Sequence, residues 1–468
     1  MAKNYEIDMC HGPLLKKICL FAIPLICSTT LQLLFNTADI IVVGRFAGDN
    51  SLAAVGSNGA IIKLMLNLFL GLSIGANILV ARYYGAQNKE DLSKTVHTTM
   101  LLSLYGGLAI TVVGVLGARQ ILLWMQTPPQ VLDLATKYLQ IYFLGIIFTL
   151  IYNFGSAILR AVGDTRRPLY YLTVAGVINV ILNLIFVIKF QWDVAGVAAA
   201  TVISQAVASA LIVVCMMRDK GAVHMEISRL KIHPIQMALI FRLGVPAGLH
   251  GMLFSISNVV IQSSVNSFGN VIMAGNAAAI NIEGYVYFAM YAFSQTAISF
   301  TSQNLGAGNF KRILRVLFLT QCCVIVTGLV LGVSAWLFAS PLLGIYSTNQ
   351  DVIAAGALRM GYVSMPYLLC GIMDVLTGSL RGLGYVVTPM IVSLGGACIF
   401  RLVWIATLFQ IPKYHIVQTI YISYPISWVL TFVVLGICFV WAFRRTVLHR
   451  NNQRLSTEKT FRSSGSSL

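Results

Sequence analysis

Charged side chains are scarce in this sequence, and acidic ones are the scarcest. Only 10% of the 468 residues are charged, with 15 Asp and Glu against 32 Lys and Arg, while 57% are hydrophobic. A water-soluble protein of this length could not keep so much apolar surface away from water. The long apolar runs leave no evident water-soluble domain. The composition therefore excludes a soluble globular protein and predicts that lipid is the main solvent.

Motifs of enzymes and metal sites are also missing. The sequence has no HExxH, GxSxG, Walker A or dinucleotide-binding pattern, and its seven histidines form no cluster. Its nine cysteines lack zinc-like spacing or a secreted disulfide framework, so we predict reduced packing residues. The net charge of +17 is scattered over short loops, which argues against nucleic acid as a partner. We predict a protein that is not an enzyme and has no resident cofactor.

Twelve apolar stretches are long enough to cross a bilayer. They lie near residues 17–43, 59–82, 95–118, 135–159, 168–190, 194–217, 237–265, 278–303, 314–345, 355–380, 387–410 and 417–443. Basic residues concentrate in every second connection, which by the positive-inside rule places both termini in the cytoplasm. Arg359 is assigned to an intervening loop. The first helix is expected to remain as a span, because no signal-peptide pattern precedes it. The sequence thus predicts an all-α polytopic membrane protein.

The two halves of the chain repeat each other. Four positions correspond at an offset of 221 residues: Asn153, Arg160, Gly163 and Pro168 align with Asp374, Arg381, Gly384 and Pro389, and the last three pairs are identical. With six spans per half, the repeats are parallel and predict two lobes with a central cavity between them. The predicted division is a cytoplasmic N-terminal segment at 1–16, a first lobe at 17–217, a cytoplasmic linker at 218–236, a second lobe at 237–443 and a basic cytoplasmic tail at 444–468.

Proline occupies an equivalent place in the first helix of each lobe, at Pro24 and Pro246. Each proline removes one intrahelical hydrogen bond and permits a bend, with a static packing kink as the alternative.

Three acids lie within apolar runs, where an ionised side chain is costly and is therefore a functional candidate. Asp39 lies in helix 1, Glu283 in helix 8 and Asp374 in helix 10. Gln32 and Asn36 precede Asp39 at i, i+4, i+7 spacing, which predicts a polar stripe facing a cavity or a neighbouring helix. One carboxylate can hold a proton, Na+ or an organic cation in turn, so competition for it couples two flows.

Each acid also has a structural alternative. Asp39 could be satisfied by nearby donors or lie near the outer interface. Asp374 could pair with Arg381 or with the mid-helix Arg401, and Glu283 could lie in a wet interface near the start of its helix.

Long segments of the chain resemble a known family. GPLLKKICLFAIPLICSTTLQLLFNTADIIVVGRFAGDNSLAAVGS, GAQN and LRAVGDTRRP in the first half, and FGNVIMAGNAAAINIEGY, QNLGAGN and LRGLGYVVTP in the second, resemble the bacterial branch of the multidrug and toxic compound extrusion (MATE) family. The resemblance extends from about residue 12 to 443. It implies a secondary antiporter that exports organic cations or amphipathic toxicants in exchange for inward Na+ or H+.

The resemblance also implies a cation site in the first lobe. In one branch of the family this site combines residues of helices 1, 5 and 6, and Asp39, Asn179 and Thr201 match it, with Na+ as one candidate ion. Where that branch has a second acid, this sequence has Asn183. Asp39 is then the only ionisable group of the site, and the coupling ion stays open between H+ and Na+.

Another branch of the family combines an acid on helix 7 with an Asp on helix 10. Asp374 fits the second of these, but helix 7 contains no acid. We therefore expect Glu283 to supply the missing carboxylate of the second lobe.

The implied substrate cavity should offer aromatic and apolar surface to flat cations. Its candidates are Tyr285, Tyr287, Met290 and Tyr367, together with the polar Gln32, Asn36, Asn258 and Arg401. Simple packing is the alternative role for the apolar members. We expect a monomer in a bacterial inner membrane whose partners are small cationic or amphipathic molecules and lipid.

A lipid or lipid-linked saccharide flippase of related architecture is the competing function. A flippase should line its cavity with several Arg or Lys residues for pyrophosphate, and only Arg401 clearly lies mid-membrane in the sequence.

Overall fold

The computed structural model describes residues 5–464 and, with few exceptions, their side chains up to residue 450. Residues 1–4 of the predicted N-terminal segment and residues 465–468 of the predicted tail lie outside this range. The described part of the chain is helical and contains no strand.

Twelve long helices make up the bundle within residues 5–464. They are helix 1 Leu14–Phe46, helix 2 Asp49–Gly85, helix 3 Lys89–Trp124, helix 4 Pro129–Ala161, helix 5 Arg166–Asn183 with its extension Leu184–Lys189, helix 6 Asp193–Arg218, helix 7 Pro234–Asn266, helix 8 Asn270–Ala307, helix 9 Phe310–Leu337, helix 10 Gln350–Val363 and Leu368–Leu383, helix 11 Val387–Ser393, Leu394–Ile399 and Phe400–Ala406, and helix 12 Val417–Ser464.

Among the described residues, eleven of these helices are apolar enough to be selected as membrane spans by hydropathy. The exception is helix 8, whose 38 residues give a length of about 57 Å, enough to cross a hydrocarbon core of about 30 Å. Helix 8 is less apolar because it packs against helices 1, 2, 9 and 10 and buries polar side chains there. The predicted all-α fold with twelve spans is confirmed.

The two lobes meet most closely at the end of the bundle that carries both termini, called here the termini end. A Cβ atom on Gly85 of helix 2 would lie 2.0 Å from the carbonyl oxygen of Gln303, and one on Gly306 of helix 8 would lie 2.0 Å from that of Arg82. Gly85 and Gly306 are equivalent positions of the repeat, so the contact is pseudo-symmetric. Only glycine permits helices to approach this closely.

Further along, helix 2 crosses helix 7 through a second glycine contact. A Cβ atom on Gly71 would lie 2.1 Å from the backbone nitrogen of Gly248. Towards the other end of helix 2, Gly56 and Gly59 have open space within 4 Å of a built Cβ. The lobes are therefore closed at the termini end, and their contact through helix 2 loosens away from it.

Helix 1 is shared between the lobes. Its first half packs on the second lobe, where the Phe21 and Phe300 rings meet edge to face at 5.5 Å. Its second half packs on helix 5, where a Cβ atom on Gly176 would lie 1.7 Å from the ring of Phe35. The helix runs without interruption through Pro24, as helix 7 does through Pro246, so the predicted bends at these prolines stay predictions.

Irregular helical geometry occurs at places that the sequence analysis did not anticipate. Helix 10 is divided by a 3₁₀ turn at Met365–Tyr367, and the π-helical segments Leu184–Lys189 and Leu394–Ile399 extend or interrupt helices 5 and 11. Arg359 lies inside helix 10, which begins at Gln350, and is 4% exposed. Its assignment to a loop was wrong.

Residues 5–13 form a strap across the termini end, touching both lobes. On the first lobe, the Tyr84 hydroxyl donates to Glu6 at 2.8 Å. On the second lobe, Arg312 donates from Nε to the Met9 carbonyl at 2.9 Å and from Nη2 to the His11 and Gly12 carbonyls at 2.9 and 3.1 Å. The strap thus ties together the two lobes where they are closed.

We expect Arg312→Ala to release the strap, because it removes three charge-assisted hydrogen bonds at once. The reporter is Cys10, since burial, followed by the Asp8 charge, raises the pKa of its thiol to about 11. Alkylation of Cys10 by N-ethylmaleimide should be slow at neutral pH, rise with pH because the thiolate is the nucleophile, and become at least about tenfold faster in the variant.

The matched control for this measurement is Arg315→Ala. Arg315 is exposed on the same helix and should leave the alkylation rate unchanged. The alkylation of Cys10 is measured by peptide mass spectrometry. Equal alkylation rates in the two variants would contradict the assignment of Arg312 as the anchor of the strap.

Candidate functional site

The first-lobe site is a chain of hydrogen bonds around one carboxylate. Asn183 Nδ2 donates to Asp39 Oδ1 and, at 3.3 Å, to Asn179 Oδ1. Asn179 Nδ2 in turn donates to Thr201 Oγ1 at 3.4 Å. Asn179 is 5% exposed and Asn183 fully buried, while Asp39 is half-buried. The structure therefore brings together all four residues that the family resemblance had grouped.

Helix geometry explains how these residues meet. Asn179 and Asn183 are four positions apart and share one face of helix 5. That face meets helix 1 because Gly176, one turn earlier, has no side chain and lets the Phe35 ring come close. The π-helical extension starts directly after Asn183.

Asp39 has no basic side chain within 4 Å among the described residues. Its neighbours on helix 4 are Tyr138 and Tyr142, which stack at 6.3 Å and lie close enough to interact with its charge. The sequence analysis missed these tyrosines, although their i, i+4 spacing was a signal. Gln32 and Asn36 are exposed on helix 1.

The first-lobe donor set suits a small cation or a proton. A carboxylate, two amides and a hydroxyl offer oxygen ligands, which hard cations prefer. No group of three His, Cys, Asp or Glu side chains able to hold a metal ion occurs in the described chain. With Asn183 in place of an acid, a single positive charge is enough to neutralise the site.

Glu283 of the second lobe is locked in a buried ion pair. Arg359 donates from Nη2 to Glu283 Oε2 at 2.8 Å and from Nε to Oε1 at 3.2 Å. The remaining Nη1 donates to Asn276 Oδ1 at 2.8 Å, and Ser364 donates to Glu283 at 3.4 Å. Glu283 is 3% exposed, and helix 8 starts at Asn270, earlier than predicted, which places Glu283 well inside the helix. A wet interface position for Glu283 is therefore wrong, and the carboxylate is already neutralised by an arginine.

Asp374 has no ion pair among the described residues, and its Oδ2 is buried without a hydrogen-bond partner. The Tyr287 hydroxyl lies beside it. Arg381, two turns further along helix 10, donates from Nη2 to His250 Nδ1 at 2.8 Å instead. Neither Arg381 nor Arg401 is within 4 Å of this carboxylate, so the two direct pairs considered from the sequence are not formed.

The predicted cavity residues separate into different environments. Met290 is fully buried in the core and packs its sulfur against Gly328 and Gly371, so cavity lining is wrong for it in this conformation. Tyr287 and Tyr367 face each other at 6.5 Å, whereas Tyr285 lies near Tyr346 in the connection between helices 9 and 10.

The two remaining polar candidates differ in exposure. Asn258 is exposed on helix 7, and Arg401 is only 2% exposed.

The architecture and the buried polar groups define a two-lobe, multi-pass membrane transporter. The MatE family profile matches residues 24–185 and 246–407, once in each lobe. The chain belongs to this family, the multidrug and toxic compound extrusion transporters.

Relatives and solved structures agree with this assignment. The chain is 28% identical over 83% of its length to the probable multidrug resistance protein YpnP of Bacillus subtilis, of which it covers 86%. It is 22% identical over 80% of its length to the multidrug export protein MepA of Staphylococcus aureus, of which it covers 82%. An outward-facing multidrug resistance MATE transporter structure matches 96% of this chain and all of its own, with a TM-score of 0.88 at 21% identity.

A further structural match is a transporter from Pyrococcus furiosus. The binding pocket of that transporter is described as reversed in polarity, which suggests a different function for it. It matches with a TM-score of 0.87 at 21% identity, covering 96% of this chain and 98% of its own.

Proposed function

We propose that this chain is a secondary active antiporter that exports organic cations or amphipathic drugs in exchange for inward H+ or Na+. The observation that carries the proposal is the Asp39 carboxylate, which lies in a membrane helix, has no basic partner among the side chains that the structure describes, and is hydrogen-bonded by Asn183. A carboxylate in such a place is costly unless a mobile cation occupies it during the cycle. The multidrug names of the relatives support the substrate class.

Of the two ions, the proton fits this site better. The site holds one ionisable group, so one proton discharges it. Asn183 can adapt to both states, because an amide donates from nitrogen to a carboxylate and, after rotation, accepts through oxygen from a carboxylic acid. Its Oδ1 is buried without a partner in this structure. One carboxylate also gives Na+ less electrostatic attraction than two would.

Alternating access supplies the transport step. With both termini in the cytoplasm, closure at the termini end corresponds to an outward-open state. Cation binding at Asp39 would compete with bound drug, and rocking of the lobes about the glycine contacts would expose the site to the other side. The protein would work in a bacterial inner membrane, without a nucleic acid partner and as a monomer.

The proposal is tested with purified protein in liposomes. Uptake of an ethidium-like cation should follow an imposed pH gradient and collapse when nigericin dissipates it. An imposed Na+ gradient, dissipated by monensin, is the parallel arm and should give the smaller response. Transport driven only by Na+ would exclude the proton as the coupling ion but would still agree with an antiporter.

A flippase is the second candidate, because several arginines lie within the described helices. Arg160 and Arg381 are repeat-equivalent, and Arg359 and Arg401 lie in the second lobe. A pyrophosphate would need several of them unpaired, whereas Arg359 is already bound to Glu283. Absence of any response to either gradient, together with movement of a labelled lipid, would favour the flippase.

A further inference from the structure

Two arginines and one acid share a buried aromatic cluster in the second lobe. The Arg359 and Arg401 guanidiniums lie 5.4 and 4.1 Å from the ring centre of Tyr424. Arg401 also lies 5.6 Å from the ring centre of Trp428. Glu283 is the acid, and both of its oxygens are engaged by Arg359. The cluster thus carries one positive charge more than its carboxylate balances.

The unbalanced charge belongs to Arg401. Its Nε donates to Ser427 at 2.8 Å, but its Nη2 is buried without a hydrogen-bond partner, and the residue is 2% exposed. No acid lies within 4 Å of it among the described residues. Cation–π attraction to the aromatic faces offsets part of the desolvation free energy of the guanidinium. A buried charge without a counter-ion nevertheless remains strongly unfavourable.

A second unsatisfied donor of the cluster lies on helix 12, on Tyr421, whose ring centre is 5.5 Å from the Arg359 guanidinium. Tyr421, Tyr424 and Trp428 follow i, i+3, i+7 spacing on helix 12, and the Tyr421 hydroxyl is buried without a partner. Two unsatisfied donors, one of them cationic, next to aromatic walls are the groups that an anion requires.

We infer that the second lobe binds a monovalent anion at Arg401 Nη2, within the cluster of Arg401, Tyr421, Tyr424 and Trp428. Two sources share this chemistry: a free halide, or the carboxylate group of an amphipathic substrate. The second lobe would then present an unpaired base, Arg401, in addition to its unpaired acid, Asp374, whereas the first-lobe site has only the acid Asp39. This inference does not depend on which ion drives transport.

The test uses iodide as the probe, because iodide quenches tryptophan fluorescence and Trp428 is adjacent to Arg401. In the purified full-length protein at constant ionic strength, we expect saturable quenching that disappears in Trp428→Phe. Arg401→Gln should weaken the binding of iodide at least about tenfold, which corresponds to the loss of one charge-assisted hydrogen bond. Arg119→Gln, at an exposed arginine bonded to Asp133, is the matched control and should bind normally.

Tyr421→Phe keeps both arginines and the ring, so it provides a test even if Arg401→Gln fails to fold. It should weaken the binding of iodide about fivefold, because one neutral hydrogen bond is lost. Competition by chloride, with gluconate as the inert replacement, would identify a halide site. Displacement by a carboxylate-bearing dye but not by its methyl ester would identify a substrate group. Quenching that does not saturate, or that is unchanged in both variants, would overturn the inference.

Discussion

Asp39→Asn is expected to reduce ion-driven export to the background of empty liposomes. The substitution keeps the size of the side chain and its ability to accept a hydrogen bond from Asn183, but it removes the charge that a proton or Na+ must neutralise. A loss of at least about a hundredfold follows, because a buried neutral amide offers no ionisable group at this site. The measurement is dye transport under an imposed pH gradient, with insertion checked by protein yield in the membrane.

The control for this experiment is Asp133→Asn. Asp133 is also an acid in the first lobe, but it is exposed and bonded to Arg119 at 2.9 Å, so export should be unchanged. Asp374→Asn tests the second lobe in the same way and should also abolish coupling. If the double variant of Asp39 and Asp374 transported like the unaltered protein, the proposed exchange would be wrong.

Arg359→Ala is expected to destabilise the protein by about 3–5 kcal/mol, because it leaves the Glu283 carboxylate buried without a counter-charge. The same change removes the hydrogen bond to Asn276. The measurement is thermal unfolding in detergent, detected through the onset of aggregation and through tryptophan fluorescence.

Two variants separate the buried charge from the loss of side-chain volume. Adding Glu283→Gln to Arg359→Ala neutralises the stranded acid and should restore a large part of the stability. Arg119→Ala breaks an exposed pair and should cost only about 0–1 kcal/mol. Equal losses for Arg359→Ala and Arg119→Ala would show that the buried pair has no special role in stability.

The sequence predicted the architecture well because its main signals are local or repeated. Apolar runs gave the twelve spans, and the recurrence at 221 positions gave two equivalent halves. The grouping of Asp39 with Asn179, Asn183 and Thr201 came from the family resemblance, since helix 1 is far from helices 5 and 6 in the chain and no spacing rule connects it to them.

The second lobe was less predictable for the same physical reason. Glu283 and Arg359 are on different helices, and their pairing depends on where helices 8 and 10 begin and how they pack. Two opposite charges within apolar runs of the same half were a usable signal, since a buried ion rarely lacks a partner. The burial of Met290 and the π-helical segments depend on tertiary packing, which periodicity does not encode.

Helix 1 carries the Asp39 carboxylate near one end and packs on the core of the second lobe near the other, and it does so as one continuous helix. From Pro24 to Asp39 it spans about 22 Å at 1.5 Å per residue. A tilt of about 10° around Pro24 would therefore move the carboxylate by about 4 Å. Under the proposed mechanism, a cation bound to the two oxygens of this carboxylate would thus be linked to movement of helix 1 against the second lobe.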